Sequence, residues 1–235
     1  MKVHKIIAHR GVFDNETIIE NTMDSFKRAI ALNYPIEFDV QLTKDNKLVV
    51  FHDDDLKRLA GRCDKIQDMD SSEVTRIKLL GTKQEIPYLK DVLELNNDKV
   101  FMDIEVKHTK RIKDTVYYLM KELEGYKNYV IISFDPRIIR YIKKNYKDVE
   151  VGLLIQGKYN NFIEEFLLHR KFILKYSKCN FVSISKKVYN NKKMMKKLDK
   201  YPILLWTIKN PQDINYDNDI SYVCNNLPYT NKKDL

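Results

Sequence analysis

At 235 residues, with 43% hydrophobic and 32% charged side chains, the chain carries enough apolar material for one sizeable core and needs no second domain. It has no run of about 18 apolar residues, and its opening "MKVHKIIAHRG" turns polar too soon for a signal peptide, so a cytoplasmic protein is expected. Lys plus Arg outnumber Asp plus Glu by 42 to 33, a net charge of +9 that suits anionic partners without choosing among them; Cys63, Cys179 and Cys224 match neither a disulfide framework nor a zinc site.

The first apolar run, "KIIAH", ends at His9 and Arg10. A helix is predicted over Thr22 to Asn33, where Met23, Phe26, Ala29 and Ile30 recur at helical spacing and Asn21 or Thr22 can cap the first turn. Two strands follow, "PIEFDVQL" and "KLVVFH", joined by "TKDNK" with no room for a helix. The span from Asp53 to Glu85 is long and holds no strong strand, which is the mark of a functional loop in a compact domain, a lid or a substrate-gripping insertion.

Beyond it the chain alternates regularly. Helix Leu89 to Asn96 precedes strand "KVFMDIEV", and helix Thr109 to Glu124 precedes "NYVIIS". Helix Pro136 to Tyr146, "EVGLLI", helix Phe162 to Tyr176, "NFVSIS", helix Asn190 to Leu198, "PILLWT" and a weaker "SYVCN" complete the series. Eight or nine strands separated by helices predict a parallel (β/α)8 barrel. The lysines of "KKVYNNKKMMKKLDKY" read as a solvated helix face, and no RNA-binding or helix-turn-helix signature appears, so nucleic acid is not expected as a partner.

Two strands carry chemistry. Alternation puts Ile36, Phe38, Val40 and Leu42 on one face of the second strand and Glu37, Asp39 and Gln41 on the other. The same parity in "VFMDIEVK" sets Met102, Ile104 and Val106 against Asp103, Glu105 and Lys107. Two such strands fit a barrel with its carboxylates converging inside. In (β/α)8 enzymes catalytic groups come from the C-terminal ends of strands, where His9, Arg10, Asp39, His52 and Glu105 all fall.

Glu37, Asp39 and Glu105 together call for a hard divalent cation, Ca²⁺ or Mg²⁺. His9 and His52 suit general acid and base, and Arg10 and Lys107 offer positive charge to an anionic oxygen. Such a set suits a phosphodiester. His4, His108 and His169 are expected at the surface.

The segments "HRG", "ENT", "EFDVQLTKDNKLVVFHD" and "IEVK", with weaker "IPYLKDVLEL", "IISFD", "LLWT" and "VCNNLP", resemble the signature of the glycerophosphodiester phosphodiesterase family across nearly the whole chain. The resemblance implies a single TIM (β/α)8 barrel domain over 1–235, with a small helical insertion after the third strand at about 54–85. It implies Glu37, Asp39 and Glu105 as metal ligands, His9 and His52 as the acid/base pair, and Arg10 and Lys107 on the phosphate. Glu20 of "ENT" is expected to hold Arg10 or reach the metal shell, and Trp206 to wall the glycerol or head group. The implied reaction is metal-assisted hydrolysis of a glycerophosphodiester to sn-glycerol 3-phosphate and an alcohol.

A second reading keeps the site but takes lysophospholipids, with peripheral contact to an anionic membrane; a third takes a polymer phosphodiester. A non-enzymatic reading makes the chain a binder of nucleic acid or of an anionic surface, with the barrel as scaffold. The chain departs from the family pattern at Ile19, Tyr88, Lys209 and Asn225, of which the last two fall nearer the expected substrate pocket.

Overall fold

The computed structural model describes residues 6–157, 172–216, 219–225 and 227. The chain divides into two compact units, Arg10–Tyr129 and one formed by β1 (Ile6–His9) with the described residues from Val130 onward.

In the first unit, β2 (Ile36–Leu42) lies between β4 (Met102–Val106), parallel to it, and β3 (Leu48–Val50), antiparallel to it. The antiparallel pair departs from the expectation of a uniformly parallel sheet. Its cause is "TKDNK": with too few residues for a crossover, the chain turns back as a hairpin, Asn46 at φ 65° and the Thr43 N–H donating to the Lys47 carbonyl at 2.9 Å. All seven residues of β2 and all five of β4 are buried, so their acidic faces are not solvated edges.

Helix α1 (Met23–Ala31) starts at Thr22, whose hydroxyl accepts from the Ser25 N–H while Ser25 Oγ accepts from the Thr22 N–H. Thr22 is therefore the cap, and Asn21, at φ 57°, is released for another bond described below. Phe26 and Ala29 turn inward, and Phe26 meets Phe38 of β2 edge to face at 5.6 Å.

Between β3 and the later helix α4 (Leu89–Asn96) lies the predicted insertion. It contains α2 (Lys57–Ala60), a 3₁₀ turn at Ile66–Asp68 and α3 (Ser71–Val74). Its apolar residues, Leu56, Leu59, Ile66, Met69, Val74, Ile77 and Leu79, pack with Ile19, Val49, Phe51 and Ile86 into a core of their own. Each such side chain contributes roughly 1.5–3 kcal/mol when fully buried. Ile19, where the family pattern has proline, is fully buried in that core.

Helix α5 (Ile112–Glu122) begins three residues later than predicted, with Arg111 at its N-cap position and the Thr109 hydroxyl accepting from the Arg111 N–H. At its far end, burial pushes the Glu122 carboxyl up to about 7, and its Oε2 has no partner among the described residues. The unfolded chain ionises first, so this group lowers stability as pH rises from about 4.5 to about 7. The Tm difference between Glu122→Gln and wild type is expected near zero at pH 4 and positive at pH 8; a difference independent of pH contradicts the assignment.

In the second unit, β5 (Tyr129–Ser133), β6 (Val151–Ile155), β7 (Phe181–Ser185), β8 (Ile203–Ile208), β9 (Ser221–Cys224) and β1 form a parallel ladder in that order. Helix α6 (Pro136–Asn145) has Pro136 in its first turn and Asp135 as cap, accepting from the Arg137 N–H, and it buries Ile138, Ile139 and Ile142. Of the helix predicted over Phe162 to Tyr176, the described part is α7 (Phe172–Ser177); the remainder lies outside the described residues.

The lysine run forms two short helices, α8 (Lys186–Tyr189), which periodicity missed, and α9 (Lys192–Leu198). Lys192, Lys193 and Lys196 are exposed while Met194 and Leu198 are buried. Among the described residues no helix is long and apolar enough to cross a membrane.

Candidate active site

The in-register pairing of β2 with β4 sets Glu37 beside Asp103 and Asp39 beside Glu105. Side chains of adjacent parallel strands at matched positions share a face, so the pairing gathers the acids. Glu37, Asp39 and Glu105 are buried, and each offers a carboxylate oxygen within 4.8 Å of the other two.

Cations flank the trio. Lys107 Nζ donates to Glu105 Oε1 at 2.7 Å and to Asp39 Oδ1 at 3.3 Å. Arg10 Nε lies 3.5 Å from Asp39 Oδ2, and the Arg10 N–H donates to Glu37 Oε2 at 3.1 Å. Asn21 Nδ2 donates to Asp39 Oδ2 at 2.9 Å, the bond that replaces its expected capping role. Gly11, at φ 81°, follows because an added Cβ would lie 2.6 Å from Ser25 Oγ; that close approach is why "HRG" ends in glycine.

The acids differ in electrostatics. Burial pushes the Glu37 carboxyl well above its usual range, and the charges of Asp39 and Glu105 push it further. Burial and Asp39 likewise raise Glu105 against the pull of Lys107. Asp39 is held low despite burial because Lys107, His52 and Arg10 favour its charged form. Two carboxyl groups that resist ionisation beside one that is ionised suit a hard divalent cation, whose charge would relieve both. The oxygen-only donor set fits such an ion.

His52 lies just beyond β3 and is placed by its neighbours. The Phe51 N–H donates to the Asp39 carbonyl at 3.0 Å, and Gln41 Nε2 donates to the carbonyls of Phe51 and Asp53 at 2.9 and 2.8 Å. His52 Nδ1 donates to Asp53 Oδ1 at 2.6 Å, which leaves the lone pair of the neutral ring on Nε2.

Glu20 is buried and saturated. Its Oε1 accepts from Arg10 Nη1 at 2.6 Å and Arg58 Nη2 at 2.7 Å, and its Oε2 from Asn15 Nδ2 at 2.8 Å and Arg58 Nη1 at 2.9 Å. These bonds bring its carboxyl down to about 2 despite burial, and of its two expected roles they supply the hold on Arg10.

In the other unit, His9 ends β1 with its Nδ1 donating to Asn225 Oδ1 at 2.5 Å. Trp206 of β8 is half-buried and meets Phe134 edge to face at 5.6 Å. His108 is exposed in the turn after β4, as expected, and His4 and His169 lie outside the described residues.

Sequence reasoning gave four participants no such role. Asp53 and Asn225 fix imidazoles, and Arg58 and Asn15 fill the oxygens of Glu20. Asp53 adjoins His52 and Asn225 falls near the expected substrate pocket, which are the signals available for them; Arg58 and Asn15 are joined to the site only by the fold. Asp103 was placed on the acidic face without a role. It is fully buried, neither oxygen has a partner among the described residues, and burial raises its carboxyl well above the usual range, with Glu105 and Asp39 adding to the effect.

Among solved structures, a glycerophosphodiester phosphodiesterase from Thermotoga maritima is similar to this chain with a TM-score of 0.71 and 26% identity, covering 94% of this chain and 93% of its own. The class is a TIM (β/α)8-barrel enzyme, with the insertion after the third strand. Among curated relatives, a glycerophosphodiester phosphodiesterase of Caldanaerobacter subterraneus subsp. tengcongensis is 36% identical over 64% of this chain and 66% of its own length. A human lysophospholipase D is 33% identical over 46% of this chain and 38% of its own length. The model of the glycerophosphoryl diester phosphodiesterase family matches residues 9–224, and the chain belongs to that family.

Proposed function

We propose that this protein hydrolyses glycerophosphodiesters to sn-glycerol 3-phosphate and the free alcohol, with Ca²⁺ or Mg²⁺ held by Glu37, Asp39 and Glu105. The observation that carries the reading is the buried acidic trio flanked by Arg10 and Lys107. A divalent cation bound there supplies Lewis-acid polarisation of a phosphoryl oxygen.

The chain's own groups do the rest. Lys107 Nζ has three hydrogens, of which two point at carboxylates, so one remains for a phosphate oxygen; Arg10 likewise keeps a guanidinium edge beyond its bond to Glu20. His52 and His9 share the proton traffic. With its Nδ1 proton held by Asp53, the ring of His52 presents Nε2 to a proton in flight, and His9 takes the other half of the exchange by the family resemblance. The ring acting as base takes the proton of the attacking hydroxyl; the other, protonated, donates to the leaving alkoxide as the P–O bond breaks. Trp206 with Phe134 forms the apolar wall for the glycerol or head group. We take the chain as one family-type domain, with the insertion at about 54–85, in a cytoplasmic setting that suits three unpaired thiols.

The human relative favours a second reading, hydrolysis of lysophospholipids. Against it, Leu80 is the insertion's one exposed large hydrophobic residue, which is little with which to meet a membrane. The two readings separate on paired substrates. Glycerol 3-phosphate released from glycerophosphocholine, with little choline from lysophosphatidylcholine, supports the first; the reverse preference supports the second.

A further inference from the structure

Arg58 sits on α2 of the insertion between two buried leucines, Leu56 and Leu59, that pin its backbone to the insertion's core. Each nitrogen of its guanidinium is engaged: Nη1 and Nη2 clasp both oxygens of Glu20, and Nε donates to Asp53 Oδ2 at 2.7 Å. The other oxygen of Asp53 holds His52, and Oε1 of Glu20 also holds Arg10. One planar fork therefore joins the two carboxylates that orient the histidine and the arginine of the proposed site. A lysine ammonium lacks the fork that here clasps both oxygens of Glu20 while a third nitrogen reaches Asp53.

We infer that Arg58 is a positioning residue, through which the insertion sets the tautomer and direction of His52 and the place of Arg10. A staple holding the insertion down is the alternative, but Gln84 already does that work. Its Oε1 accepts from the Thr22 hydroxyl at 2.7 Å and the Ile19 N–H at 3.2 Å, and its Nε2 donates to the Thr17 carbonyl at 2.6 Å. The Arg58 side chain is 44% exposed but its partner Glu20 is buried, so loss of Arg58 also lowers stability, and its role is read from the His52 ring and not from Tm.

For turnover the inference rests on the phosphodiesterase reading, so the first readout needs no substrate. The ring of His52 is followed by ¹⁵N NMR in wild type, Arg58→Gln and Gln84→Ala. The expected result is loss of the fixed Nδ1–H form in Arg58→Gln and its retention in Gln84→Ala. In the enzymatic assay, kcat of Arg58→Gln should fall roughly 10- to 100-fold at a temperature where the variant is folded, the usual range for groups that orient a first layer of functional residues. Arg58→Lys should not restore it, and millimolar guanidinium should partly rescue Arg58→Ala. An unchanged His52 spectrum in folded Arg58→Gln overturns the inference, as does an equal loss of kcat in Gln84→Ala. A wild-type protein that turns over no glycerophosphodiester overturns the functional reading instead, while the spectra still decide the role of Arg58.

Discussion

Glu37→Gln is expected to abolish metal-dependent turnover, a loss on the order of 10³-fold or more in kcat/KM, without lowering the Tm of metal-free protein. The two halves of that result share one cause. Glu37 is buried beside Asp39 and Glu105, so its charge is unfavourable to the metal-free fold and useful only when a cation is present. An uncharged isostere removes the repulsion and the ligand together. In wild type, a cation at a hundred times its Kd stabilises by about 2.7 kcal/mol, a Tm rise of roughly 5–10 °C for a chain of this size; in the variant that rise should vanish. Asp39→Asn should behave differently, because Asp39 balances Lys107 and Arg10: it loses activity and stability together. Wild-type turnover in Glu37→Gln would remove the trio from the reaction.

His52→Ala is expected to lower kcat by about 10²- to 10⁴-fold, the range for a general acid or base, while the cation-induced Tm rise survives. His52 is bonded to Asp53, which is not one of the three carboxylates, so its loss leaves the proposed metal ligands in place. Asp53→Asn should give a smaller loss in kcat, because an amide still accepts from Nδ1 but without charge. A wild-type rate in His52→Ala, or loss of the Tm rise in that variant, contradicts the division of labour between histidines and carboxylates.

Much of this site is legible in the chain because strands report their own faces. The alternation in "PIEFDVQL" and "MDIEV" identifies Glu37, Asp39, Asp103 and Glu105 as sharing the polar faces, and the parallel register brings them together. Helices α1 and α6 follow from apolar spacing and from caps of ordinary type, and α4 from apolar spacing alone. The insertion was harder to read. Its polar composition conceals seven buried apolar residues, spread over short turns with no single period, so neither its separate core nor the reach of Arg58 to Glu20 has a local signature. Asn21 shows the same limit on a smaller scale: it suits a helix cap and the "ENT" motif alike, and its bond to Asp39 decides between them. The β2–β3 hairpin is a milder case, since the shortness of "TKDNK" already excludes the crossover a parallel pair needs.

On the proposed reading the protein is a phosphodiesterase that works through a divalent cation on Glu37, Asp39 and Glu105. The most direct test of that reading is glycerol 3-phosphate release from glycerophosphocholine and glycerophosphoethanolamine by metal-stripped protein, with Ca²⁺ or Mg²⁺ added back separately. The account predicts no release from stripped protein and recovery with one or both ions. Full activity in stripped protein, or none with either ion from protein shown to be folded, would contradict it.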